Sequence, residues 1–195
     1  MIKNKLCTVP VGVYPIEGVD GVGKTTHCQL LAERTGGIFM PTPPKELTSA
    51  RKYFDRQVDE LEARYLFYLA GVLALRPQMD RAIAEGRPVF CDRYIYSTIA
   101  YHAEMGVNTD LVDWKHLAFP SVSKVILLTA EPEIRLARIR DREGERAIVA
   151  YRQRLPFLAN VERRLKEMSQ ISLDTSRSNI EEVHEGIVNC IIGNS

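Results

Sequence analysis

The sequence predicts a three-layer α/β/α fold around a largely parallel, five-stranded sheet. Three observations carry that expectation. Short apolar runs alternate with amphipathic helical segments along the chain, the order that parallel strands and crossover helices require. The run Val125-Ile-Leu-Leu-Thr129 is continuously apolar, as a strand covered on both faces must be. The 195 residues suit one domain, and no repeat, low-complexity tract or linker divides them.

The elements follow in order. A first strand is expected within 9–17, although Pro15 sits badly in a central strand because it cannot donate to the ladder. A helix over 24–34 ends at Gly36-Gly37, and 38–40 form a short second strand closed by Pro41-Thr42-Pro43-Pro44. Helical segments are read at 46–57 and 59–85, the second kinked near Pro77 and stopped by Gly86. Strand 88–91 precedes helices at 97–105 and 110–117. After strand 125–129, Pro132 opens an arginine-rich helix that Gly144 breaks. A helix over 151–168, a last strand at 171–174 and a final helix to Ile192 complete the chain, with Ser178-Asn-Ile-Glu181 read as a capping box.

Composition narrows the function classes. The chain is 45% apolar, 26% charged and 8% aromatic, ordinary globular chemistry that excludes a disordered or collagen-like chain. A net charge of +1 gives no bulk electrostatic reason to seek nucleic acid or an anionic membrane. The apolar run over 66–75 is too short to cross a bilayer, and the first residues lack the apolar stretch of a secretion signal. Cys7, Cys28, Cys91 and Cys190 are far apart, without ligand spacing, and read as reduced, mostly buried thiols of a cytoplasmic enzyme.

The strongest motif is Gly18-Val-Asp20-Gly21-Val22-Gly23-Lys24-Thr25, which matches G-x-x-x-x-G-K-[ST] between a strand and a helix. Amide N–H groups of such a turn converge on phosphate oxygens, and the helix dipole adds a favourable field. Lys24, expected on an exposed loop, reaches the β- and γ-phosphates, and Thr25 ligates Mg²⁺. This predicts ATP and Mg²⁺ as cofactors but leaves the phosphoryl acceptor open.

The third strand ends in Cys91-Asp92-Arg93-Tyr94, placing charged residues over the ligand-binding edge of a parallel sheet. Asp92 is expected in the metal shell and Arg93 as a bidentate partner of an acceptor phosphate. Ser97, Thr98 and Tyr101 follow at helical spacing near the same cleft. The arginines at 135, 138, 140, 142, 146, 152 and 154 read as a closing lid over about 140–154 that pivots at Gly144 and stabilises the moving phosphoryl group.

Together these residues resemble the thymidylate kinase family of nucleoside-monophosphate kinases, over almost the whole chain. Glu17-Gly-Val-Asp20 through Lys24-Thr25-Thr26 is similar to its phosphate loop, and Asp92-Arg93-Tyr94 with Ser97 and Tyr101 to its acceptor segment. The resemblance implies that Asp20 faces the acceptor sugar and metal, that Arg138 packs on adenine, and that Tyr68 stacks on the acceptor base. It also implies a homodimer. Val22 stands where some members carry a loop arginine, so the catalytic arginine is expected from the lid, as Arg142 or Arg146. Two segments depart from the family: Pro41-Thr-Pro-Pro-Lys45 replaces an Arg-Glu-Pro-Gly segment, and Val72 replaces a thymine-binding arginine. Both departures resemble the mitochondrial UMP/CMP kinase branch. The expected reaction is γ-phosphoryl transfer from ATP to a pyrimidine nucleoside monophosphate, dTMP first, then dUMP, dCMP, UMP and CMP. A deoxynucleoside kinase is the alternative; it needs a general base, and Glu46 is the obvious carboxylate after the second strand. A non-catalytic nucleotide-binding module is the remaining reading.

Overall fold

In the computed structural model the described residues are 7–193 apart from 114, 115 and 118. Five strands, β1 Val13–Glu17, β2 Ile38–Pro41, β3 Val89–Asp92, β4 Ile126–Thr129 and β5 Ile171–Asp174, form one sheet in the order β2-β3-β1-β4-β5. Every pairing is parallel. The helices are α1 Lys24–Thr35, α2 Thr48–Gln57, α3 Leu61–Leu73, α4 Arg76–Ala84, α5 Ile95–Glu104, α6 Pro132–Glu143, α7 Glu145–Gln153, α8 Leu155–Glu167 and α9 Ile180–Ile192. None of them is long and apolar enough to cross a membrane.

Strand alternation sorts side chains into two helix layers. Tyr14, Ile16 and Phe90 pack with Cys28 and Leu31 of α1 and with Ile187 and Ile191 of α9. Val13, Val89 and Cys91 face the other way, against Tyr65 and Leu69 of α3, Met79 of α4 and Ile95 of α5. Phe90 is fully buried, so Phe90→Ala should cost about 3–5 kcal/mol in lost transfer energy and cavity. All four cysteines are free; Cys28 and Cys91 are buried, while Cys7 and Cys190 are partly exposed.

Pro15 occupies the central strand without breaking it. The carbonyls of Gly12 and Ile16 accept from Val89 and Arg93 on the β3 side, whereas that of Val13 accepts from Ser123 on the opposite side. By alternation, the missing N–H of Pro15 faces the β4 side. There the chain makes a single bridge, Val13 with Val122, and the β4 ladder begins only at Ile16. Pro15 falls in that gap, before the β4 ladder starts.

Several boundaries differ from the sequence reading. The 59–85 segment is two helices, α3 and α4, and Pro77 lies in the first turn of α4, where its lacking N–H costs nothing. The 151–168 segment likewise divides into α7 and α8, with Pro156 in the first turn of α8. The capping box of α9 is one residue later than expected: the Asn179 side chain accepts from the Glu182 N–H and Glu182 accepts from the Asn179 N–H, each at 3.0 Å. The 110–117 helix appears as one 3₁₀ turn, Thr109–Leu111, and part of the expected segment lies outside the described residues.

Candidate functional site

The phosphate loop spans the end of β1 and the start of α1. Gly18 has φ 141°, and a Cβ there would stand 2.4 Å from the Leu128 carbonyl oxygen. Gly23, the N-cap of α1, is left-handed at φ 95°, and no side chain caps the helix. The first-turn N–H groups of α1 are therefore turned to the loop, where an anion satisfies them. Lys24 is buried at 6% exposure rather than exposed, and its Nζ donates to the Val19 carbonyl at 2.8 Å. Burial, with the Arg93 charge, lowers its pKa to about 8 against the pull of nearby carboxylates.

A turn at Arg93 and Tyr94 follows β3. Thr25 Oγ1 donates to Asp92 Oδ2, bringing together two hard oxygen atoms from the loop and the strand end. Such a pair suits Mg²⁺, which takes one or two protein oxygens and completes its shell with phosphate and water. When bound, the ion would offset charge on the β- and γ-phosphates. Arg93 adopts φ 69°. Its Nη2 donates to Asp20 Oδ1 at 2.6 Å and its Nη1 to Ser97 Oγ at 3.1 Å, and its guanidinium lies 5.3 Å from the Tyr101 ring centroid. Burial works against ionisation of Asp20, but the charges of Arg93 and Lys24 outweigh it and hold the carboxyl at about 2.

Two clefts meet at these residues. The first, about 680 Å³, is lined by Tyr68, Val72, Thr98, Tyr101, His102 and Arg154 among others. The second, about 430 Å³, is lined by the loop from Asp20 to His27, with Arg138, Arg142, Thr175 and the start of α9. Asp20, Asp92 and Arg93 line both. Arg138 crosses the second cleft, donating to the Gly21 carbonyl at 3.1 Å and to the Thr175 hydroxyl and carbonyl at 2.9 and 2.6 Å.

The structure thus gathers Gly18, Asp20, Gly21, Val22, Gly23, Lys24, Thr25, Thr26, Asp92, Arg93 and Arg138 around the second cleft and its junction, and Tyr68, Ser97, Thr98 and Tyr101 around the first. It separates the two lid arginines. Arg142 lines the second cleft and donates from Nε to Glu143 at 2.9 Å, while Arg146 is exposed on α7 and lines neither. Arg154, which the sequence reading left among seven arginines, reaches the first cleft and lies 5.7 Å from the Phe157 ring. Arg51, Asp55 and Arg64 lie outside every motif in the sequence, yet they line the first cleft beside Tyr68, whose hydroxyl donates to Asp55 at 2.9 Å. Arg64 had a legible signal, since it precedes Tyr68 by one helical turn. Asp55 had none, because it comes from a different helix. Glu46 lines neither cleft.

The known proteins to which this chain is similar are consistent in kind. A probable thymidylate kinase of Methanocaldococcus jannaschii is 26% identical over 178 residues, covering 88% of this chain and 91% of that protein. One of Pyrobaculum aerophilum is 31% identical over 138 residues, covering 66% and 70%. The thymidylate kinase structure of Candida albicans matches with a TM-score of 0.74 at 20% identity, over 96% of this chain and 94% of that one. That of Ehrlichia chaffeensis gives 0.64 at 21%, over 93% and 98%, and at such identities both speak to the fold alone. The family model described as thymidylate kinase matches residues 16–187. Since that match runs from the end of β1 into α9 and takes in both clefts and their junction, the chain belongs to the thymidylate kinase family.

Proposed function

We propose that the protein transfers the γ-phosphoryl group of ATP to a pyrimidine nucleoside monophosphate, with dTMP the first acceptor to test and dUMP, dCMP, UMP and CMP beside it. The observation that carries this is the junction: Asp20, Asp92 and Arg93 belong to both clefts, so two nucleotides placed in them have their phosphates adjacent. ATP in the second cleft would have its phosphates on the loop amides and Lys24, and its base beside Arg138. The acceptor phosphate would meet the Arg93 guanidinium, with Arg154 as a second cation.

The chemistry asks little of the protein beyond position and charge. An acceptor phosphate oxygen is already an anion, so no side chain has to remove a proton from it. What needs support is charge spread over the transferring group, and the cations at the junction supply that. A nucleoside acceptor would instead require a general base and would leave Arg93 and Arg154 without a phosphate to bind. The Pro41-Thr-Pro-Pro-Lys45 segment and Val72 both line the first cleft, and they favour relaxed choice among pyrimidines of the kind resembled in the UMP/CMP branch. The family resemblance extends the proposal to a homodimer, testable by sedimentation, and the widely spaced cysteines, read as reduced thiols, extend it to a cytoplasmic enzyme.

The deciding experiment is ADP formation from ATP and Mg²⁺ against a panel of nucleosides and nucleoside monophosphates. Turnover confined to pyrimidine monophosphates is expected. Turnover of nucleosides but not of their monophosphates would overturn the proposal.

A further inference from the structure

Glu17 is the last residue of β1 and is fully buried directly before the phosphate loop. It lines neither cleft, so it is no candidate to touch a substrate. A buried carboxylate persists only where its lone pairs are satisfied. Glu17 Oε1 accepts the N–H of Tyr94 at 2.8 Å and that of Ser97 at 3.3 Å, and Oε2 accepts the Ser97 hydroxyl. Tyr94 is the N-cap of α5 and Ser97 its third residue, and no side chain of α5 caps that end. The carboxylate caps the helix from another strand.

The consequence lies one bond further on. The Ser97 hydrogen goes to Glu17, which leaves its oxygen lone pair to accept Nη1 of Arg93 at 3.1 Å. Arg93 itself stands in the left-handed region, where a residue with a Cβ persists only if its surroundings over-determine it. Its N–H is held by the Ile16 carbonyl at 3.1 Å, its Nη2 by Asp20, and its Nη1 by the Ser97 oxygen that Glu17 orients.

We propose that Glu17 is a positioning residue for the acceptor phosphate: through Tyr94 and Ser97 it fixes the turn that aims the Arg93 guanidinium into the acceptor cleft. The role rests on the reading of that cleft as a monophosphate site. Burial pushes the Glu17 carboxyl above the usual range, while Ser97 and the Arg93 charge pull the other way. Glu17→Gln keeps the shape but puts an amide donor against Ser97. The Ser97 hydroxyl then loses its acceptor, and the amide competes with Arg93 for its lone pairs. Ser97→Ala leaves the backbone N–H bonds to Glu17 in place and removes the hydroxyl, which both donates to Glu17 and accepts from Arg93.

The test is steady-state kinetics with ATP and the monophosphate varied separately, alongside thermal melts. Both variants are expected to raise the monophosphate KM roughly tenfold, the loss of one hydrogen bond to a charged group. KM for ATP should not move. The double variant should be no worse than the poorer single one, because both cut one chain of contacts. A merely structural role would lower the melting temperature and the active fraction while leaving both KM values alone. If Glu17→Gln fails to fold, Ser97→Ala decides. An unchanged monophosphate KM in folded Ser97→Ala, or equal rises in both KM values, overturns the positioning role while wild-type turnover stands. Absence of wild-type turnover with every monophosphate overturns the kinase reading, and this role with it.

Discussion

The Tyr151 hydroxyl on α7 donates to the Asp20 carbonyl in the phosphate loop at 2.7 Å. The arginine-bearing segment is thereby tied to the loop it is expected to cover, and Gly144, at φ 84° between α6 and α7, stands where the pivot is expected. Removing the hydroxyl should loosen the segment without unfolding it. Tyr151→Phe is expected to raise protease cutting around residues 140–154, and a bisubstrate analogue should suppress cutting in the wild type. Arg154→Ala should weaken use of the monophosphate and Arg142→Ala use of ATP, since each lines its own cleft. Cutting that no ligand changes would make the segment ordinary surface.

Lys24→Ala should reduce kcat by roughly a hundredfold or more, the scale of about 3 kcal/mol for one transition-state contact. Because Lys24 is buried and bonded to Val19, the substitution also leaves a small cavity and frees a carbonyl. Melting curves must accompany the rates. Near-native kcat in a folded variant would remove Lys24 from the chemistry.

Arg93→Lys should be nearly as damaging as Arg93→Ala. A point charge cannot donate to Asp20 and Ser97 together and still present a planar fork to phosphate. A raised KM for the monophosphate with little change for ATP is the expected pattern in initial-rate kinetics, and the reverse would place Arg93 on the donor side.

The pH profile carries a further test. With the Lys24 pKa near 8 in the free protein, kcat/KM for ATP should fall as pH rises through about 8. Bound phosphates favour the charged form, so kcat should hold to higher pH. Stability moves the opposite way. The unfolded chain keeps this proton to about 10.5, whereas the folded protein releases it above about 8. Over that window the unfolded state binds more protons, and the contribution of this group to stability rises with pH. Subtracting the profile of Lys24→Met from the wild-type profile isolates it, and a flat difference would contradict the assignment.

What the sequence made legible was whatever a contiguous motif encodes. The loop from Gly18 to Thr25, the strand end at Asp92-Arg93 and the five strands have local signatures in spacing and apolarity, and they fall where those signatures place them. Helix boundaries at Pro77 and Pro156 were less legible, because proline marks either a kink or a first turn and periodicity alone does not choose. The burial of Lys24 could not be read, since it depends on how the loop folds back on Val19. The grouping of Asp55, Arg64 and Tyr68 joins α2 to α3 through tertiary packing, and the reach of Arg154 into the first cleft depends on where α7 ends. Glu17 was visible in the motif, but its partners Tyr94 and Ser97 lie some eighty residues away.

Base choice is the last expectation. Tyr68 and Tyr101 line the cleft with aromatic faces, and Val72 offers no donor to a base carbonyl. Arg64, two turns before Val72 on α3, is expected to supply one: it lines the same cleft, and its Nη2 lies 3.9 Å from Asp55. Asp55 holds the Tyr68 hydroxyl, and burial followed by that contact pushes the Tyr68 pKa up to about 12, so the hydroxyl stays a donor. Donors and a carboxylate side by side can satisfy either the imide edge of thymine and uracil or the amino edge of cytosine, and between Tyr68 and Tyr101 a single ring is expected to fit better than a purine. Pyrimidines should therefore be preferred, with dTMP and dUMP within about a hundredfold in kcat/KM, the range a methyl-sized contact gives, and dCMP within the same range because the donors and the carboxylate serve either edge. Arg64→Ala should cost the imide bases more than cytosine, since only they present a carbonyl at position 4. Initial rates with each monophosphate at fixed ATP measure this. An equal loss for all three bases would place Arg64 away from the base edge, and a purine preference would remove Tyr68 from the base site.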